Sequence, residues 1–216
     1  IQKAADLRGK VLAVANPGSA SDFAAKLFFA RQGMKPGQDV SIIYSGSTSA
    51  AFAALANGRV QGMFATSPND LQAAAAGFKP LLELGDFNIP YAGNCSAAMR
   101  SYIAKQPARM RSFVAGITEA IAHIKRRPNE AKVILEKYTR VSDQTILQHA
   151  YDSDTRFMEP VPFPSAEGTK TILENLGVTG RPAEQFVAEF NDERFIKQLI
   201  EDGLLKQIYP GGIPAR

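Results

Sequence analysis

The chain has 216 residues, 45% hydrophobic and 21% charged, enough to bury a core as one domain or two small ones. No stretch approaches the roughly 18 consecutive apolar residues of a membrane span, no basic-then-apolar leader opens the chain, and Ile1 in place of Met predicts a processed or truncated product. The balance of 25 basic to 21 acidic residues leaves +4, too mild to demand a polyanionic partner, and the lone Cys95 excludes an internal disulfide and a cysteine metal cluster.

Val11 to Ala15 is short, apolar and partly β-branched, which predicts a buried strand. Phe23, Ala24, Leu27 and Phe28 then fall on one face of a predicted helix that Gly33 closes. Ser19-Ala20-Ser21-Asp22 fits a helix start, with a hydroxyl at the N-cap and a carboxylate three residues later. The arrangement recurs. Val40 to Tyr44 reads as a strand, Ser45-Gly46-Ser47-Thr48-Ser49 as its loop, and Ala50 to Asn57 as a helix stopped by Gly58. Gln61 to Ala65 is a weaker strand. Ser67 then caps a helix with Pro68 at its first position and Asp70 at its third, ending at Gly77. Pro80 to Leu84 reads as a fourth strand.

Four strands alternating with three helices predict a parallel βα sheet whose strand ends share one edge. Ligands of open α/β sheets bind along that edge. Each helix start there offers unpaired N–H groups and the positive end of a dipole, which suit a small anion. A lone capping serine needs no ligand to explain it; three hydroxyl-rich helix starts on one edge make a binding edge the better reading. No lysine or arginine sits in these loops, so attraction would come from neutral donors.

Beyond Asp86 the pattern changes. Asn88 to Asn94 is a loop rich in turn formers, followed by the small-residue stretch Cys95 to Met99. From Pro107 the chain reads as helical, and Met110, Phe113, Val114, Ile117, Ile121 and Ile124 form an apolar stripe expected to be core. Lys125-Arg126-Arg127 lies at that helix's end, where cations favour the dipole, and no aromatic residues interleave with it as single-strand binding requires. No nucleic-acid partner is expected. Further helices are predicted at about 128–138, 142–157, 166–176, 183–190 and 192–202, with an extended linker at Glu159 to Pro164.

Phosphate loops, nucleophile elbows and zinc-protease motifs are absent from the sequence. His123 and His149 both lie in the later helices, so neither Ser19 nor Ser67 has a base nearby. The chain is therefore expected not to be an enzyme, and to need no cofactor and no metal.

Four stretches carry a resemblance to a known family. They are "ADLRGKVLAV" from Ala5, "PGSASDFAAKLFFARQGMKPGQDV", "ALANGRVQGMFATSP" and "AAMRSYIAKQPARMRSFVAGITEAIAHIKRRPNEAK". In order and spacing, over most of Ala5 to Tyr138, they resemble the solute-binding proteins of ABC importers for sulfonates, nitrate, taurine and thiamine-pyrimidine precursors. The resemblance implies a type II periplasmic-binding-protein-like α/β fold: a parallel βα lobe followed by a helical C-terminal part. It implies residues 1–90 as lobe two, and residues 91–216 as the hinge crossing and helices completing lobe one. The first part of lobe one, roughly 100 residues by ordinary domain size, is absent from this sequence. The family closes its lobes on a solute, works outside the cytoplasmic membrane, and hands the solute to an ABC transporter permease. Membrane contact would come only through that permease or a lipid anchor.

Carried over by position, the resemblance makes Gly18, Ser19 and Ala20 ligand contacts, together with Ser47 and Thr48 in the second loop and Ser67 in the third. Asn94 joins them at the crossing. For Tyr44 and Tyr91 core or hinge packing is the expected role, with stacking on an organic part of the solute as the alternative. The expected ligand is a small anionic or zwitterionic solute. Sulfate, nitrate, a sulfonate, an aromatic carboxylate and a pyrimidine precursor all suit neutral donors equally. Two other functions share the scaffold. The effector domain of a transcriptional regulator requires a DNA-binding segment, and no helix-turn-helix is present. A thiamine-pyrimidine synthase requires a cysteine-rich motif and a pocket histidine, which this sequence lacks.

Overall fold

Alternation along one strand organises the first half of the chain. In the computed structural model, which describes residues 1–65, 69–87, 89–178, 180 and 182–214, strand β1 (Val11–Val14) points Leu12 and Val14 to one face and Ala13 to the other. Both faces are buried. Leu12 and Val14 pack with Ala25, Phe28 and Phe29 of helix α1 (Ala20–Arg31), with Leu7, Met34 and Val40 completing the cluster. Ala13 packs with Ala51 and Leu55 of helix α2 (Thr48–Ala56) and with Val60. A strand covered on both sides has no polar face, which is why its four residues are all apolar.

Strands β2 (Ser41–Tyr44) and β3 (Gly62–Met63) pair with β1 in parallel, in the order β2-β1-β3. The chain leaves β1 to one side and returns to the other, so right-handed crossovers put α1 and α2 on opposite faces. Helix α3 (Asn69–Ala75) follows β3. The three helices end alike: Gly33, Gly58 and Gly77 take positive φ, and Met34, Arg59 and Phe78 each send an N–H back to the last turn.

Two expectations need correction here. Pro80 to Leu84 forms no strand; residues 81–83 carry no regular structure, and a 3₁₀ turn begins at Leu84. Leu81 and Leu82 still pack on the β1–α1 cluster. Their side chains are partly buried without backbone pairing, which an apolar run alone does not distinguish from a strand. On α1 the buried residues are Asp22, Phe23, Ala25, Phe28 and Phe29, whereas Ala24 and Leu27 are half-buried. The face is turned because Asp22 enters the interior beneath the loop it caps.

The structure divides into two units, Ile1–Ile89 and Pro90–Arg216. The second is helical among its described residues. Helix α4 (Arg100–Lys105) leads into α5 (Pro107–Arg126), which packs on α6 (Pro128–Thr139), α10 (Arg194–Glu201) and α11 (Leu204–Ile208). Helix α7 (Gln144–Arg156) packs on α6, and α8 (Ala166–Asn175) pairs with α9 (Ala183–Phe190). On α5 the buried residues are Thr118 and Ala122, on the side where Arg111 pairs with Asp202 at the end of α10. Phe113 and Ile117 remain 47% and 40% exposed, so the expected stripe is only partly core. Small residues let a neighbouring helix come close, and the closest-packed side is therefore not the most apolar one. Tyr209 closes the C-terminal end, packing with Ala122 and Leu205 while its hydroxyl donates to the Pro160 carbonyl at 2.9 Å.

Candidate functional site

Parallel pairing brings the loops after β1 and β2 to one edge, and hydrogen bonds join them there. Beyond the strands the pairing runs on, with Ser45 N–H to the Val14 carbonyl at 2.9 Å and Gly46 N–H to the Ala15 carbonyl at 2.8 Å. Asn16 Nδ2 then donates to the Gly46 carbonyl at 3.0 Å. On the far side of α2, Ser49 Oγ donates to Asn69 Oδ1 at 3.3 Å, at the first residue of α3. The three helix starts are thus linked in a row. Reversal of strand order at β1 makes this a topological switch point, the place where open α/β sheets leave a crevice.

At α1, Ser19 is the N-cap, and its Oγ accepts the Asp22 N–H at 3.3 Å. The same Oγ lies 3.0 Å from Ser21 Oγ, and Ser21 Oγ accepts the Ala15 N–H at 3.0 Å. Ser19 N–H donates to the Asn16 carbonyl. The expected role of Gly18 changes on this geometry. Its N–H donates to Asp22 Oδ2 at 2.8 Å, so that donor is already taken. Among the described residues, the α1 donors left without a protein acceptor are the N–H groups of Ala20 and Ser21.

The Asp22 carboxylate is the most enclosed charge of this unit, 0% exposed. Besides Gly18 it accepts from Lys26 Nζ at 2.8 Å, and from the Tyr44 hydroxyl at 3.3 Å. Burial raises its pKa, but the Lys26 ammonium, the Gly18 N–H and the Tyr44 hydroxyl together hold it below the ordinary carboxylate range. Lys26 is raised in turn, chiefly by its bond to Asp22. Asp22 therefore places an internal anion at the dipole's positive end.

At α2 the N-cap is Ser47, whose Oγ accepts the Ala50 N–H at 3.1 Å. Thr48 is the first helical residue rather than part of the loop. No acidic side chain occupies this first turn, and among the described residues the N–H groups of Thr48 and Ser49 have no protein acceptor. Ser45 Oγ, unremarked in the sequence, donates to the Val14 and Ser47 carbonyls at 2.8 and 3.0 Å and braces the turn. Ser67, the candidate of the third loop, lies outside the described residues, as does Pro68.

Of the remaining candidates, Tyr44 is 48% exposed with its hydroxyl on Asp22. Asn94 and Tyr91 belong to the second unit. Asn94 sits in an exposed bend, and the Tyr91 ring lies against Gly93. Both histidines are also in that unit, His123 with Nε2 3.5 Å from Glu130 Oε2. Two open cavities of about 390 and 320 Å³ lie there too, one lined by Lys125, Tyr151 and Arg156 and the other by Arg126, Tyr209 and Pro210. Among the described residues no group of three or more His, Cys, Asp or Glu is arranged to hold a metal ion, and no helix is long and apolar enough to cross a membrane.

Comparison with known proteins gives two matches. The profile of the NMT1-like family matches residues 1–136. A solved structure of a protein from Bordetella bronchiseptica RB50 superposes with a TM-score of 0.72 at 21% identity, over 94% of this chain and 67% of that one. No curated protein matches significantly. The fold is mixed α/β, with a small open parallel sheet and many helices, and the likeness is compatible with a periplasmic-binding-protein-like fold.

Proposed function

Because the chain belongs to the NMT1-like family, whose members are generally solute-binding proteins of ABC transporters, we propose that it captures a small anionic or zwitterionic solute outside the cytoplasmic membrane and presents it to a permease. The solute class would be that of sulfonates, nitrate, taurine and thiamine-pyrimidine precursors. Units Ile1–Ile89 and Pro90–Arg216 correspond in this reading to lobe two and to the part completing lobe one. One observation carries the placement of the solute: the helix starts after β1, β2 and β3 are tied in a row at the switch point of a parallel sheet.

In this reading the contacts are the Ser19 hydroxyl, the N–H groups of Ala20 and Ser21, and the N–H groups of Thr48 and Ser49 beside Ser47. Ser67 and Asn94 join them on the resemblance alone. Neutral donors at helix starts hold a negatively charged solute without a fixed cation, which favours reversible binding over a permanent clamp.

Calorimetric titration of the protein with taurine, nitrate, sulfate and short alkanesulfonates tests the proposal. One of them should bind with a single site, and Ser47→Ala together with Ser19→Ala should weaken it about tenfold, the size of one or two hydrogen bonds. Binding that survives both substitutions unchanged moves the solute elsewhere, and absence of binding across the panel removes the solute class.

A further inference from the structure

A fully buried carboxylate is expensive unless its charge is paired and hydrogen-bonded. Asp22 is 0% exposed and has three such partners, the Lys26 ammonium, the Gly18 N–H and the Tyr44 hydroxyl. Two of them stand on the loops of the candidate site. Gly18, at φ +73, lies two residues before the first free helix donor, and Tyr44 ends β2 where the second loop begins. Lys26, one turn further along α1, compensates the charge.

We propose that Asp22 is a positioning residue of the solute site, holding the Gly18-Ser19 turn through the Gly18 N–H and tying it to β2 through the Tyr44 hydroxyl. The inference rests on the reading of this edge as the solute site. The geometry assigns three consequences. Gly18 is a hinge point pinned from inside, not a solute donor. Ala20 and Ser21 present their N–H groups in fixed directions because the preceding turn cannot relax. The Asp22 charge, already set against the start of α1, leaves that terminus suited to a neutral acceptor atom of the solute. The full anionic group then falls to α2, whose first turn has no acid.

Amide exchange read by NMR on the full chain, with Asp22→Ala and Asp22→Asn, tests the role. Asparagine keeps an acceptor for the Gly18 N–H and removes the charge; alanine removes both. In Asp22→Ala, exchange at Gly18 should rise about tenfold relative to Leu12 to Val14 of β1, as one lost hydrogen bond implies. Asp22→Asn should restore most of that protection. If taurine or nitrate perturbs the Ala20 and Ser21 amides of the wild-type protein, affinity should fall about tenfold in Asp22→Ala and recover in Asp22→Asn. Unchanged Gly18 exchange in Asp22→Ala overturns the positioning role whether or not a solute binds. Faster Gly18 exchange, with no solute in the panel perturbing Ala20 or Ser21, overturns the site reading on which the role rests. Should Asp22→Ala not fold, equal Gly18 exchange in wild type and in Tyr44→Phe with Asp22→Asn overturns the coupling instead.

Discussion

Asn16 and Gly46, 30 residues apart, meet where two loops leave the sheet, the Asn16 amide donating to the Gly46 carbonyl at 3.0 Å. The bond joins the start of α1 to the start of α2 outside the β ladder. Asn16→Ala should destabilise the protein by only about 0.5–1 kcal/mol, since both groups are reachable by water. Asn16→Asp should cost more, because it sets a carboxylate against a carbonyl oxygen. Urea denaturation compares the two. An Asn16→Ala midpoint equal to that of the wild type would mean that the bond contributes nothing in solution.

Helix caps separate stability from recognition. Ser19, Ser47 and Ser165 all accept an N–H from their first turns, and each serine-to-alanine change should cost about 1 kcal/mol. Ser19 and Ser47 stand at the sheet edge of the first unit, and Ser165 belongs to the second unit. Thermal unfolding of the three variants should therefore agree, while solute affinity falls in the first two alone. A loss of affinity in Ser165→Ala as large as in Ser47→Ala would show that the effect is general.

Asp22 makes stability depend on pH in a defined direction. Its folded pKa lies below the unfolded value, so its contribution is complete above about pH 4 and is lost as pH falls through the depressed folded value. Wild-type stability should fall more steeply than that of Asp22→Asn in this acid window, and the two slopes should match near neutrality. Parallel curves throughout would place the carboxyl at its ordinary value.

Core truncation should be costly where the aromatic cluster closes on the sheet. Phe29 is fully buried, and its ring meets those of Phe28 and Phe64 edge-on at 5.2 and 5.9 Å. Phe29→Ala should destabilise by about 3–5 kcal/mol, measured as a shift in the denaturation midpoint. At the other end of the chain, Tyr209→Phe leaves the Pro160 carbonyl without its donor and should cost about 1–2 kcal/mol. A change below a few tenths would mean that water replaces the hydroxyl.

Where backbone periodicity and a strong stop coincide, the elements were legible from residues alone. Val11 to Val14, the Ser19 cap and the glycine stops each combine two independent signals, whereas the Ser47 cap was hidden inside a hydroxyl-rich run read as loop up to Ser49. Leu81 and Leu82 misled because burial of side chains does not require pairing of the backbone. On α1 the inward turn of Asp22 was hidden, since a carboxylate three residues after a serine has an ordinary explanation at a helix start. The spent Gly18 donor follows from that turn and has no signature of its own. Phe113 and Ile117 show a further limit: helical periodicity finds an apolar face, not the side that a neighbour approaches most closely.

The order β2-β1-β3 also bears on how the protein is assembled. The first strand of the chain lies in the middle, paired at Val11 with Ser41 and at Leu12 with Gly62. Its second partner comes late, so the nucleus must close long loops before the sheet rewards it. The linked helix starts exist only once both pairings are made. An incompletely formed chain would present no part of the edge in working order, and solute capture would report on completed folding as well as on recognition.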